Sequence, residues 1–232
     1  MPRHRNAGRP LAHWSIFVLA VAALFATLLL DDFARETGGG TVRPGRTEIV
    51  DHPSALSGPV ILASDGRVVG ERLPPRTVAL TFDDGPDPVW TPRILDALRR
   101  HRATATFFVV GAQVNKHPDL VRRIVAEGHQ LGLHSFTHRD LTTMSEPRRR
   151  IEFELTRNAV AQATGQDLKL FRPPYLASPA KVDAPALALI ADAGRRGYVT
   201  VLAARDTGDW RRPGAKIIAP AALPASAAGA IV

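Results

Sequence analysis

The sequence predicts an α/β protein built on a parallel sheet, either open or closed into a barrel. Two observations carry that expectation. From Thr77 onward, β-branched or alternating apolar runs take turns with amphipathic helical stretches, the pattern of repeated strand and helix units. Ionisable residues also follow every predicted strand but the second, and in such sheets the working groups lie at the strands' carboxyl ends.

"TVALTF", Thr77 to Phe82, reads as the first buried strand and breaks off at Asp83 and Asp84, where Gly85 and Pro86 supply a turn. "TPRILDALRRH" is the following helix, with Thr91 as N-cap and Pro92 at the first helical position. "TATFFVV" is the second strand, and "HPDLVRRIVAEG" the next helix, opened near Pro118 and closed at Gly128. "QLGLH" precedes a helix from about Glu146 to Ala163, "LKLFR" one that begins near Asp183, and "YVTVL" a short one near Gly214. "GAIV" begins a further strand.

Upstream, residues 1–13 form a basic tail with Arg3, Arg5 and Arg9, and residues 14–30, Trp14 to Leu30, are uncharged and apolar. Seventeen residues lie at the short end of what spans a bilayer as a helix. The run ends in "LLLDD" rather than in the small residues of a cleavage site, so it reads as a transmembrane signal anchor rather than a cleaved signal peptide. The basic flank then stays in the cytoplasm and everything after Asp31 lies outside. Residues 31–76 are rich in Gly, Pro and Ser and read as a linker, with a small hairpin in "VILASDGRVVG".

A chain of 232 residues, 45% hydrophobic and 22% charged, accommodates one globular domain and an appendage. It has no cysteine, so disulfides and thiolate metal sites are excluded and any metal must be held by His, Asp or Glu. The net charge of +8 sits mostly in arginine pairs on predicted helices, where solvated helix faces explain it. No aromatics interleave with these arginines, so nucleic acid is not an expected partner.

The strand ends supply the chemistry. His134 and His138 in "HSFTH" are four apart, so on a helical turn both imidazoles face one way. An Asp from the first strand end completes a two-histidine, one-carboxylate ligand set with positions left open, the general form of a catalytic zinc site that other divalent metals also tolerate. The neighbouring Asp is then free to act as general base. Arg172 in "RPPY" either pairs with that base or makes an ordinary structural ion pair. Pro173 and Pro174 stiffen the backbone at Tyr175, whose N–H suits a developing oxyanion. In "DTGDW", Asp209 can pin Arg172, and Trp210 is either a pocket wall or a core aromatic.

In order and spacing, "TFDDGPDP", "HSFTH", "RPPY" and "DTGDW" resemble the motifs of the polysaccharide deacetylases, the NodB-homology domain of carbohydrate esterase family 4. The resemblance covers Thr77 to Trp210 and implies a distorted (β/α)7 barrel over residues 77–232 that removes N-acetyl or O-acetyl groups from a cell-envelope or extracellular polysaccharide. It implies a divalent metal, zinc foremost with cobalt or manganese as substitutes, held by Asp84, His134 and His138. By the same match Asp83 is the base, Arg172 positions it, Asp209 supports Arg172, and Tyr175 lends its N–H. Leu176 departs from the family's usual Gly, and the family's final Leu-x-His, source of the general acid, has no counterpart. "GAIV" resembles the strand that leads to it, so the expected barrel is C-terminally incomplete and its first strand keeps an open edge. The alternative is then a glycan-binding or scaffold barrel impaired in turnover. His52, His101 and His129 are the other histidines weighed for the acid. The anchor, linker and first motif are also similar to the deacetylase half of bacterial proteins that continue into a glycosyltransferase.

Overall fold

The computed structural model describes residues 58–64, 67–176, 178–223 and 229–232. The expected basic tail, the signal anchor, and the linker as far as residue 57 lie outside the described residues. No helix among the described residues is long and apolar enough to cross a membrane.

Five parallel strands make the centre of the fold: β4 (Thr81–Phe82), β5 (Thr106–Val109), β6 (Gln130–Leu133), β7 (Leu170–Phe171) and β8 (Val199–Val201), paired in that order. At the β8 edge the sheet turns mixed. The hairpin β1 (Val60–Ser64) and β2 (Arg67–Glu71) adds there, β1 running antiparallel to β8 with Ile61 opposite Thr200. The folded unit therefore takes in residues that the sequence assigns to the linker, because Ile61 and Val68 are buried against Leu187, Ile190 and Leu202. β3 (Val78–Ala79) pairs in parallel with β9 (Ala230–Ile231) in a separate two-stranded sheet.

β9 corrects the expectation of an open edge beside the first strand. Val78 lies opposite Ala230 and Ala79 opposite Ile231. Beyond the ladder, Thr81 N–H donates to the Val232 carbonyl at 2.7 Å, while Ala204 and Arg205 N–H donate to the Ile231 carbonyl at 2.9 and 3.1 Å. The end of "GAIV" thus bridges the first of the parallel strands and the loop that follows the last.

Six helices connect these strands: α1 (Trp90–His101), α2 (Gly111–Lys116), α3 (Pro118–Ala126), α4 (Glu146–Thr164), α5 (Ala184–Arg195) and α6 (Ala215–Ala222). α1 starts before its expected cap. Thr91 is inside the helix and buried, and Asp87 does the capping: its Oδ1 accepts from Val89 and Trp90 N–H at 2.8 and 2.7 Å. A short acidic side chain just before the helix satisfies free N–H groups as well as Thr would. Asp183 caps α5 as expected, accepting from Ala186 N–H at 2.9 Å. The main core packs Phe107, Phe153, Phe171 and Tyr198 between sheet and helices, with Phe153 4.8 Å from Phe171 and 5.2 Å from Tyr198 by ring centroids. Leu176, at the departure from the family's Gly, is buried in the second cluster beneath the hairpin and α5, so its side chain belongs to the core.

Candidate metal centre and the paired carboxylate

Asp83 and Asp84 serve different partners because the backbone turns at the second of them. β4 stops at Phe82, and Asp84 adopts a left-handed conformation with φ 69°. Asp tolerates that region better than most residues. Gly85 is joined to Pro86 by a cis peptide bond, and it is Asp84 rather than Gly85 that has the positive φ.

Oδ1 of Asp84 lies 3.2 Å from Nε2 of His134 and 2.9 Å from Nε2 of His138. Tetrahedral bonds of about 2.0–2.1 Å place neighbouring ligand atoms about 3.3 Å apart, so this spacing suits a small divalent cation. Asp84 is 68% exposed, which leaves one side of the cluster open to water and substrate. Hydrogen bonds from His134 and then His138 hold the Asp84 carboxyl well below the usual carboxylate range, against the effect of burial. Its hydrogen bond to Asp84 raises the His138 imidazole, again against burial. A divalent cation held by these three residues would take the place of the proton that now joins carboxylate to imidazole.

The two histidines do not converge on a helical turn, as their spacing suggests. They follow β6 in a loop where Ser135 and His138 are left-handed, with φ 60° and 57°. His138 N–H donates to Ser135 Oγ at 2.9 Å. Glu152, buried on α4, holds the rest: Phe136 and Thr137 N–H donate to its Oε2 at 2.7 and 2.8 Å, and the Thr137 hydroxyl donates to Oε1 at 2.7 Å. Sequence reasoning missed Glu152. Its signal was an acidic residue in phase with Thr156 and Ala159 on the buried face of a helix. Nδ1 of His134 stands 2.7 Å from the Arg172 carbonyl, which fixes the ring proton there and leaves Nε2 free to ligate.

Arg172 is 3% exposed and enters from the end of β7. Its Nη1 donates to Asp83 Oδ1 at 2.8 Å and to Thr81 Oγ1 at 2.7 Å, and its Nε donates to the Val201 carbonyl at 2.9 Å. The guanidinium carbon lies 4.2 Å from the Phe108 ring centroid. Burial lowers its pKa, while the charge and hydrogen bond of Asp83 oppose that fall. The ion pair expected between this arginine and the base candidate is therefore present.

The expected Asp209 and Trp210 contacts are not. Asp209 is exposed in a 3-10 turn (Asp209–Arg211) between left-handed Gly208 and Arg212. Its side chain meets only the Thr207 hydroxyl, at 3.5 Å, among the described residues. Nη2 of Arg172, the residue Asp209 was expected to support, is buried and has no partner among them. Trp210 is 69% exposed and stacks with Arg211 at 4.5 Å, so it does not join the core. Tyr175 does reach the metal centre: it is left-handed (φ 64°), its ring lies 5.0 Å from that of His138, and its hydroxyl donates to the His138 carbonyl at 3.2 Å. Its backbone N–H has no acceptor among the described residues, so it remains available as a donor. Of the seven described non-glycine residues with positive φ, four (Asp84, Ser135, His138 and Tyr175) belong to this site, the place where such backbone strain concentrates in enzymes. Neither alternative acid in the described region is near: His101 ends α1, and His129 precedes β6 at the end opposite His134, packed 5.5 Å from Phe107. His52 lies outside the described residues.

Fold and site together define the class as a carbohydrate deacetylase fold with a candidate metal centre at its strand ends. Residues 70–196 match the polysaccharide deacetylase family, and the chain belongs to it. It is 43% identical over 157 residues to a chitooligosaccharide deacetylase of Rhizobium leguminosarum bv. trifolii, a match covering 68% of this chain and 70% of that protein. It is 39% identical over 157 residues to a peptidoglycan-N-acetylglucosamine deacetylase of Listeria monocytogenes serotype 1/2a, covering 68% of this chain and 32% of that one. Among solved structures, the family 4 carbohydrate esterase of Streptomyces lividans in complex with acetate superposes with a TM-score of 0.58 at 31% identity, over 67% of this chain and 78% of that chain.

Proposed function

We propose that the protein is a metal-dependent hydrolase that removes the acetyl group from N-acetylglucosamine units of a cell-envelope polysaccharide. One observation carries the reading: three ligand atoms converge from Asp84, His134 and His138, with a second carboxylate, Asp83, held beside them by a buried arginine. A divalent cation, zinc foremost and cobalt or manganese as substitutes, would supply Lewis-acid polarisation of the acetyl carbonyl. Asp83 accepts the proton of the attacking water, and Arg172 holds the Asp83 carboxylate in place. Tyr175 N–H donates to the oxyanion as it develops. The distorted barrel is the matching architecture, with β9 as the strand that closes it.

The test is acetate release from N-acetylated chitin oligomers, peptidoglycan and acetylxylan by the full chain, before and after chelation. Release from an N-acetylated glycan that stops on chelation and returns with zinc is expected. No release from any of the three, with metal bound, would leave a glycan-binding barrel as the better reading.

The apolar run of residues 14–30 behind a basic flank supports a single-pass anchor with the catalytic unit outside the cytoplasm. A reporter fused after Val232 that works only outside the cytoplasm should be active. A signal from a cytoplasm-only reporter would overturn the orientation and the envelope substrate with it.

A further inference from the structure

Trp90 is 61% exposed and sits six residues beyond Asp84, at the N-terminus of α1. That terminus faces the same end of the parallel sheet as the metal centre, since α1 follows directly from the carboxyl end of β4. Its neighbour Val89 is 51% exposed, so the pair makes an apolar surface on that strand-end face. A large aromatic exposed beside polar groups is the surface on which one-sided apolar ligands bind.

The segment that carries this indole is rigid. Trp90 N–H donates to Asp87 Oδ1 at 2.7 Å, Asp87 N–H donates to the buried Thr91 hydroxyl at 2.8 Å, and Thr91 N–H returns to the Asp87 carbonyl at 3.1 Å. Pro86, just before, is buried. The Arg93 guanidinium lies 5.1 Å from the indole centroid. One ring face is therefore partly occupied by a cation, and the other remains for a ligand. On the opposite flank of the ligand cluster, Tyr175 already rests against His138.

We propose that Trp90 is the stacking surface for a sugar unit of the glycan chain next to the unit being deacetylated, with Arg93 beside it as donor to that sugar's hydroxyl or acetamide oxygen. The inference rests on the proposed polysaccharide substrate, because a polymer held at the metal centre must continue past it. A pyranose presents an apolar C–H face to an aromatic ring and hydroxyls at its edge, which is what an indole bordered by a guanidinium complements. Trp90 is thus a specificity-determining residue for chain length and takes no part in the chemistry.

Trp90→Ala and Trp90→Phe are compared with the unaltered full chain on an N-acetylated pentamer, an N-acetylated dimer and a small aryl acetate. The expected result is a KM for the pentamer raised about tenfold in Trp90→Ala and largely restored in Trp90→Phe, the scale of one aromatic stacking contact. The kcat, and all constants for the aryl acetate, should stay unchanged. A pentamer KM that does not move, or an equal loss on the aryl acetate, overturns the proposal. Binding is read separately in Asp83→Asn protein through indole fluorescence: quenching by the pentamer that disappears in Asp83→Asn/Trp90→Phe supports it even if the chain releases no acetate. Pentamer affinity equal in Asp83→Asn and Asp83→Asn/Trp90→Ala protein, read by calorimetry, overturns it whatever the activity.

Discussion

The carbonyl oxygen of Arg172 stands 2.7 Å from Nδ1 of His134, while the guanidinium of the same residue stands 2.8 Å from Asp83. One residue thus sets a histidine's tautomer through its main chain and a carboxylate's position through its side chain. The two roles separate on substitution. Arg172→Lys keeps the carbonyl and should keep metal binding, but an ammonium cannot reach Asp83, Thr81 and the Val201 carbonyl together. Acetate release should fall at least 10²-fold, the scale for misplacing a general base, and urea unfolding should show a loss of stability. Loss of metal together with activity would mean that carbonyl and guanidinium are not separable.

The adjacent carboxylates should answer differently to the same change. Asp83→Asn should retain metal while hydrolysis falls by roughly 10² to 10⁴, because the amide keeps the shape and cannot take a proton. Asp84→Asn should weaken the metal instead. Metal analysis alongside single-turnover acetate release checks the pair, and a reversed pattern would exchange their roles.

Glu152 should govern the metal without touching it. Glu152→Ala removes three hydrogen bonds from the loop between the ligating histidines and should lower zinc affinity by about 10- to 100-fold, as supporting partners of metal ligands usually do. Glu152→Gln keeps one acceptor oxygen and should recover part of it. Competition with a chromophoric chelator gives the affinities. Equal affinity in all three proteins would reduce Glu152 to a helix residue with no bearing on the site.

Without metal, the Asp84–His138 pair imposes a pH dependence. The folded pKa of His138 is raised above 6.5, so its contribution is full below that value and is lost as pH rises through the folded pKa. The folded pKa of Asp84 is depressed below 3.8, so its contribution is present above that value and is lost only as pH falls through the folded pKa. Chelated protein should therefore lose stability upward from about pH 6.5, and zinc should reverse the loss because it takes neutral imidazole. Melting curves from pH 5 to 9 are the measurement. A chelated His138→Ala protein with the same downward slope would remove the pair as its cause.

The site's ligands were legible because each follows a strand and its type is chemically constrained. His134, His138 and one Asp of the first strand end needed only the rule that strand ends carry the chemistry, and the choice of Asp84 over Asp83 came from the family resemblance. What was not legible depended on backbone conformation. Four residues at the site adopt a left-handed geometry that none of their side chains announces, and that geometry replaces the helical turn expected for "HSFTH". Thr91 reads as a cap and is not one, because the helix starts before it: Asp87, four residues earlier, accepts from Val89 and Trp90 N–H, and the Thr91 hydroxyl accepts from Asp87 N–H. Asp209 and Trp210 were assigned by position in a motif, yet a turn between Gly208 and Arg212 leaves both exposed. The hairpin was legible as a hairpin, but its pairing with β8 depends on a contact between residues far apart in the chain, and local pattern carries no trace of it.

The Thr81 hydroxyl donates to the Val232 carbonyl at 2.8 Å across 151 positions of sequence and accepts from Arg172 at 2.7 Å. A ribosome delivers β4 through β8 long before residues 230–232 emerge, and domains fold in the order they are made. Until then Thr81 has no partner on that side, and the hydrogen-bonded relay from Val232 through Thr81 and Arg172 to Asp83 is unfinished. A nascent chain can pair its parallel strands and gather its histidines while Asp83 still lacks its full support. Completion of that support therefore waits on the last described strand.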